Sequence, residues 1–327
     1  MSMILNNSKL PSLVEVNKRA GFVNNESFLM DMVQHHQALD VLPFYPANNG
    51  AFHKYLKAVK VGSGAWRKLN EGRKATNGTS ESITTAVQIF SAESNVADDM
   101  IRTADSPADY RDSENLLIAT GMVNDFMHSL ICADGSNEDE MKGFEFFRHS
   151  INGDYVYDAW KSGDSTTKLT SIYLAELGEN ALNIRYNPKM SGSQYGIGLS
   201  THDEGSMFKE DQNGNDMKIW KQTYDMTAGL ELRRDAALIR IANVDPKKAF
   251  NSDIFIDAMT ELPNAGENAV AFCPRAIYAQ LLKYAESKLS GNFTIDIIEN
   301  FGRIVRVYGI PFLREDAIPV DLSKLTA

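Results

Sequence analysis

Six histidines, two cysteines and a few clustered carboxylates are the residues of this chain whose types could do chemistry. The histidines are His35, His36, His53, His128, His149 and His202. None stands in the His-Glu-x-x-His spacing that puts two ring nitrogens and a general base on one helix face. His35 and His36 sit in a polar segment and read as solvated or interface residues. His128 falls within a helical pattern, opposite much of its apolar stripe, where a surface or capped histidine is the default. Cys132 and Cys273 are far apart and have no Cys-x-x-Cys partner. A disulfide framework is excluded, and the pair reads as two buried thiols in a reducing cytoplasm rather than as zinc ligands. Gly196-Ile197-Gly198 comes nearest to a phosphate loop, but it lacks the third glycine and a following helix, so it reads as a turn. There is no serine nucleophile elbow and no Walker-type loop. Asp211, Asn213 and Asn215 alternate as in a calcium loop, yet the terminal glutamate is missing and a polar loop is the simpler reading. Trp66 and Trp220 are isolated and form no stacking platform for single-stranded nucleic acid. No catalytic, cofactor-binding or metal site is expected, and the chain does not read as an enzyme.

The elements that would have to position such residues are more informative than the residues. The 327-residue chain is 43% apolar and 23% charged, ordinary values for a globular protein with one large core or roughly two to three lobes. No apolar run reaches the length of a membrane span, and Met1 to Leu13 lacks the pattern of a signal peptide. The net charge is −10, from 33 Lys and Arg against 43 Asp and Glu, opposite in sign to a free-standing DNA-binding domain. It suits solubility alone, and also a container that must not adsorb the nucleic acid it holds.

Residues 1–50 scatter Leu13, Val16, Phe22, Phe28 and Met32 among polar positions. A short helix is expected over Glu26–Leu39, ended by the extended path that Pro43 and Pro46 impose. Tyr55, Lys57, Val59 and Val61, then Ile83, Thr85, Val87 and Ile89, alternate at period two around the turn-prone Asn70-Glu71-Gly72 and Asn77-Gly78. This predicts a long hairpin with too little apolar surface to stand alone, covered by something else. Ser106-Pro107 opens a helix running to about Ala133, whose stripe holds Leu116, Ala119, Val123, Phe126 and Leu130. Residues 144–245 read as mixed α/β with many turns, marked by Asn187-Pro188, Gly192, Gly196, Gly198, Gly205 and Asn213-Gly214. Leu238–Ile241 reads as a strand, Phe250–Met259 as a helix, and Pro274 as the start of another helix, stopped by Gly291. Ile304–Tyr308 reads as a last strand, closed by Gly309-Ile310-Pro311.

Several stretches, in this order and spacing, resemble the major capsid proteins of short-tailed phages of the epsilon-fifteen type, within the Hong Kong 97 coat-protein lineage. They are Trp66-Arg67-Lys68-Leu69-Asn70-Glu71-Gly72, then Gly143-Phe144, then Asn187-Pro188-Lys189 through Asp211-Gln212-Asn213-Gly214 to Thr223-Tyr224. The sharpest are Gly229-Leu230-Glu231-Leu232-Arg233-Arg234-Asp235 and Ile239-Arg240-Ile241-Ala242-Asn243-Val244-Asp245. Gly302-Arg303 to Gly309-Ile310-Pro311 follows. Glu179-Asn180-Ala181 departs from the family, many of whose members have Trp-Gly-Pro there.

The resemblance implies an α+β fold of the Hong Kong 97 type. Its parts would be an N-terminal arm over 1–50, an extended β-hairpin loop over 51–100, and a peripheral domain with a long spine helix over 101–150. An axial domain over 151–300, with some peripheral segments, would precede a closing strand and tail over 301–327 that return to the peripheral sheet. Trp66, Arg67, Lys68, Leu69, Asn70, Glu71 and Gly72 would make the inter-subunit contact of the loop, and Val123, Phe126 and Leu130 the core of the spine. The expected partners are copies of the chain itself, in hexamers and pentamers of an icosahedral shell, with a cement or decoration protein and a portal. Packaged double-stranded DNA would be touched without sequence preference, through residues such as Lys18 and Arg19, and no membrane is involved. The place would be the virion capsid, assembled in the host bacterial cytoplasm. No cofactor is implied. Two alternatives from other classes are an encapsulin-like compartment, betrayed by a cargo enzyme instead of DNA, and a soluble α/β enzyme, which needs a deep pocket with a perturbed acid, base or metal.

Overall fold

The computed structural model of the chain describes residues 36–103, 107–190, 199–210, 216–263, 268–287, 292–298 and 302–326. The expectations on Lys18, Arg19, His35, Ser106, Gly291, most of Glu26–Leu39, 192–198 and 211–215 lie outside these residues.

The described chain enters through a single 3-10 turn at Gln37–Asp40 and strand β1 (Phe44–Pro46). Of the helix expected to end at Leu39, this turn is the described part; Pro43 and Pro46 follow too closely for it to continue. Strands β2 (Phe52–Lys60) and β3 (Thr79–Ala86) pair antiparallel from Phe52↔Ala86 to Lys60↔Thr79 and form a two-stranded sheet of their own. The predicted alternation runs on through Ile89, but the hairpin does not. Val87 is buried, its N–H donates to the Ala51 carbonyl at 2.8 Å, and there the chain changes sheets. Period two reports which face a side chain takes, not which strand lies beside it. Ile89 therefore belongs to β4 (Gln88–Ala97), followed by the short helix α1 (Asp98–Thr103), the long helix α2 (Pro107–Cys132) and the single turn α3 (Phe144–Phe147). At 26 residues, α2 is about 39 Å long.

The second half carries β5 (Val156–Asp158), β6 (Thr170–Glu176), β7 (Leu182–Tyr186), β8 (Leu199–Glu210), β9 (Asp216–Leu232) and β10 (Leu238–Val244). Helix α4 (Ser252–Thr260), β11 (Ala269–Cys273), helix α5 (Arg275–Ser287), β12 (Phe293–Ile298), β13 (Gly302–Val307) and β14 (Ile310–Arg314) complete it. The region 144–245, expected as mixed α/β with many turns, carries strands as its main described elements, with α3 and a 3-10 turn at Asp235–Ala237 as its helical parts. Gly205, read as a turn, sits inside β8 at φ +73°, where the register against β9 slips between Asp203 and Gly205. A glycine takes that left-handed conformation within a strand and makes a bulge, not a stop.

Seven strands form the main sheet in the order β12-β13-β14-β11-β6-β10-β5. On one face Ile172, Leu174, Ile239, Ala271 and Phe312 pack with Phe255 of α4 and with Ile277 and Leu281 of α5. On the other, Tyr173, Ala175, Leu238, Phe272 and Leu313 join Phe126, Met127 and Leu130 of α2 and Phe144 of α3. Neighbouring residues of one strand thus enter two different cores, and such strands read as continuous apolar runs. The second sheet runs β1-β7-β9-β4, with β8 also paired to β9. The closing strand was expected to return to the sheet of the peripheral domain. β13 and β14 lie in the main sheet, β14 parallel to β11 with Ala271↔Phe312 in register, and both apolar faces of β14 are covered, Leu313 in the core shared with α2 and Phe312 in the other. The tail also turns back to α2, where Cys132 Sγ reaches the Ala317 carbonyl at 3.9 Å.

Candidate inter-subunit surface

The β2–β3 hairpin leaves the body with neither face covered. Every residue from Leu56 to Ser82 except Lys57 is exposed. Among the described residues, six of the thirteen large exposed apolar side chains lie on it, including Leu56, Val59, Val61, Trp66 and Leu69. Trp66 and Leu69 reach 105% and 94% relative exposure, so nothing in their own subunit touches them appreciably. The hairpin is also the basic part of an acidic chain. From 52 to 86 there are seven Lys and Arg against Glu71 and Glu81, a net of +5, leaving −15 for the rest of the −10 chain.

Its tip is ordered by its own sequence. Lys68 and Glu71 close a turn, with the Glu71 N–H on the Lys68 carbonyl at 3.2 Å and Asn70 between them at φ +74°. The Arg67 guanidinium donates to the Glu71 carbonyl at 2.6 Å, and the Glu71 carboxylate accepts the Lys68 N–H at 3.2 Å. Arg67 to Glu71 are thus tied into one small knot that holds Trp66 and Leu69 out. Gly72 beside it has open space around its Cβ position.

The root is held by charges. Lys57 pairs with Asp235 at 2.6 Å, and the Tyr55 hydroxyl donates to the Leu232 carbonyl at 3.2 Å. Burial first, then the Glu231 carboxylate, push the Tyr55 phenol up to about 12. Where the chain leaves β3 it crosses β9 at Gly229, and a Cβ there would lie 2.2 Å from the Ala86 carbonyl. The sequence Gly229-Leu230-Glu231-Leu232-Arg233 now has a physical reading. Gly229 admits the crossing, Leu230 and Leu232 enter the core, and Glu231 and Arg233 face the hairpin root. Sequence reasoning missed His53, Arg185 and Glu231 as a group; the signal available was a charge between apolar neighbours in Ile184-Arg185 and Leu230-Glu231-Leu232.

Away from the hairpin, Phe126 and Leu130 are buried and Val123 is half-buried beside them, with the Phe126 ring 6.3 Å from Phe90 of β4. His128 is exposed on α2. His36, expected in solvent or at an interface, is buried: Nδ1 lies 2.6 Å from Glu315 and Nε2 2.7 Å from Asn124 of α2. A polar sequence neighbourhood hid a partner 279 residues away. Cys273 is buried as expected, whereas Cys132 is half-buried, with burial pushing its thiol up to about 11. Among the described residues no group of three or more His, Cys, Asp and Glu could hold a metal ion, and no helix is long and apolar enough to cross a membrane.

A family model described as major capsid protein GP7 matches residues 30–325. Among solved structures, the chain is similar to one from bacteriophage Epsilon15, at 23% identity and a TM-score of 0.65, covering 87% of this chain and 88% of that one. It is also similar to the capsid of bacteriophage JBD30, at 11% identity and a TM-score of 0.50, with 84% and 88% covered. An encapsulin of Synechococcus elongatus is a weaker likeness, at 13% identity and a TM-score of 0.44, with 66% and 89% covered. No curated protein matches the chain in sequence.

Proposed function

The chain belongs to the major capsid protein GP7 family and builds the capsid shell of a tailed bacteriophage, and we propose that the β2–β3 hairpin is the limb by which one copy grips the next. Its fold is the α+β fold of Hong Kong 97-like capsid proteins, and self-association into a shell follows from the family. The finer reading has the copies close as hexamers and pentamers of an icosahedral shell around double-stranded DNA, with a portal and a decoration protein. Assembly takes place in the host bacterial cytoplasm. Residues 1–50 act as an arm, 51–100 carry the extended loop, 101–150 the peripheral domain with its spine α2, and 151–300 most of the axial domain. Val123, Phe126 and Leu130 are the spine's core contacts, and the shell subunit carries out no catalysis.

The observation that supports the limb is the pairing of Trp66 and Leu69, fully in solvent, with a tip turn that spends its own hydrogen bonds holding them there. Exposed apolar side chains on an ordered, cationic hairpin fit an interface whose other side is acidic, and the rest of the chain is acidic. A head-to-tail contact of this kind closes into rings when its rotation permits. DNA is contained rather than read, touched only through phosphates in a salt-dependent way. Deleting residues 64–80 is expected to abolish closed particles in sedimentation and negative-stain images while leaving the subunit compact and helical by circular dichroism. Closed particles from the deletion variant would sink the limb reading.

A further inference from the structure

A knot of charges around a fully buried carboxylate sits at the hairpin root. Glu231 has no exposed surface; its Oε2 takes Arg185 Nε at 2.6 Å, and its Oε1 faces Arg233 Nε at 3.3 Å and His53 Nε2 at 3.4 Å. The two guanidiniums lie over Tyr45 and Tyr55, 5.2 and 5.1 Å from the ring centroids. Glu179 adds a second carboxylate to the field, and the Lys57–Asp235 pair lies farther up β2.

His53 is the one buried residue of β2, and a hydrogen-bond donor lies at each of its ring nitrogens. The Asn48 N–H donates to Nδ1 at 3.3 Å, which requires a lone pair there. Nε2 faces Glu231 Oε1 at 3.4 Å and Arg233 Nη2, a donor only, at 3.1 Å; with its proton on Nε2 the neutral ring keeps the Asn48 N–H, and with its proton on Nδ1 it keeps Arg233 instead. A second proton would set Nδ1–H against the Asn48 N–H, donor against donor. Asn48 is no bystander: its side-chain amide donates to the Lys54 carbonyl at 2.7 Å, and its Oδ1 accepts the Lys54 N–H at 2.9 Å. The ring thus supports the turn from which β2 starts.

We propose that His53 is a proton-operated joint: the neutral ring locks the hairpin root, and a proton arriving from solvent on Nδ1 expels the Asn48 N–H and frees the entry to β2. Burial, together with Arg185 and Arg233, keeps that proton off, while Glu231 and Glu179 draw it on. The first set wins, holding the ring below the ordinary histidine range, so the joint is closed at neutral pH and opens in acid. Its consequence for the shell, a limb presented to the neighbour at no fixed angle in acid, rests on the hairpin reading. The joint itself is read on unassembled subunits, so the two can fail separately.

The experiment is hydrogen exchange by mass spectrometry on the full-length, unassembled chain at about pH 8 and about pH 5, corrected for intrinsic rates. Protection over 52–60 should fall at least about tenfold in acid while 170–176 stays protected. His53→Gln keeps an acceptor for Asn48 and a donor toward Glu231 but takes no proton, so its protection should be flat across that range. Equal wild-type protection at both pH values, or the same acid loss in the glutamine variant, overturns the proposal. If that variant does not fold, nitrogen NMR of the wild-type imidazole decides. An Nε2–H tautomer titrating below 6.5 supports the joint; an Nδ1–H tautomer, or titration at or above 6.5, overturns it.

Discussion

Strands β2 and β6 are of similar length, nine residues and seven, and meet opposite fates. All of β6 is buried, whereas in β2 only His53 is. The difference lies in the neighbours each finds within its own chain. β6 has β10 on one side and β11 on the other, with helices over both faces of the sheet. β2 has β3 alone, and the apolar residues Leu56, Val59 and Val61 face water. Burying such a side chain is worth roughly 1.5–3 kcal/mol. The main sheet has that stabilisation already in the single subunit, while the hairpin can gain it only on contact with another molecule. One part of the chain is finished by folding; on the limb reading proposed above, the other is finished by assembly.

Substitutions should separate the two. The largest effect is expected at Phe126, inside the core shared by α2 and the main sheet: Phe126→Ala should lower subunit stability by about 3–5 kcal/mol in chemical denaturation. An unchanged midpoint would place Phe126 outside the core and dissolve the contrast. A smaller effect should follow pH at His36, which ties the entry of the described chain to α2 and Glu315. Burial pulls the ring down, but Glu315 and Asn124 together more than offset this and hold it above 6.5. A group raised in this way stabilises fully below its unfolded value, and the contribution disappears as pH climbs through the folded one. The stability difference between wild type and His36→Gln should therefore be greatest near pH 6 and shrink toward pH 9. His53 works in the opposite sense, since its lowered value removes stability as pH falls below 6.5, so comparing each variant with wild type keeps them apart. The smallest effect on folding belongs to Trp66. Trp66→Ala should leave subunit stability within about 0.5 kcal/mol, while light scattering shows slower or incomplete assembly. A large loss of subunit stability would mean that the tip packs on its own body.

Where residues meet local rules, the sequence was a good guide. The long helix begins at Pro107 as its start signals require and ends at Cys132, one residue short of expectation, and the helices around Ala258 and Leu281 stand where their periodicity put them. The hairpin and its Arg67–Glu71 turn were legible because alternation and turn residues are local. Long-range choices were not. Nothing around Val87 announces a change of partner, and Gly205 carries the same letter in a bulge as in a turn. The root cluster was hidden because Glu231 alternates with Leu230 and Leu232 as a solvent-facing residue would, although β9 is buried on both sides there. The resemblance to capsid proteins supplied the fold; which charges meet at the root needed coordinates.

The position of β14 bears on when a subunit can become competent. It is third in the main sheet, between β13 and β11, and the residue after it, Glu315, is the one that holds His36. A chain emerging from the ribosome therefore carries β6, β10 and β11 for some time before the strand that completes them exists. Until residues 310–315 appear, one side of β11 stays open and His36 has no carboxylate. A chain cut short before residue 310 would carry an unfinished main sheet and a His36 without its carboxylate.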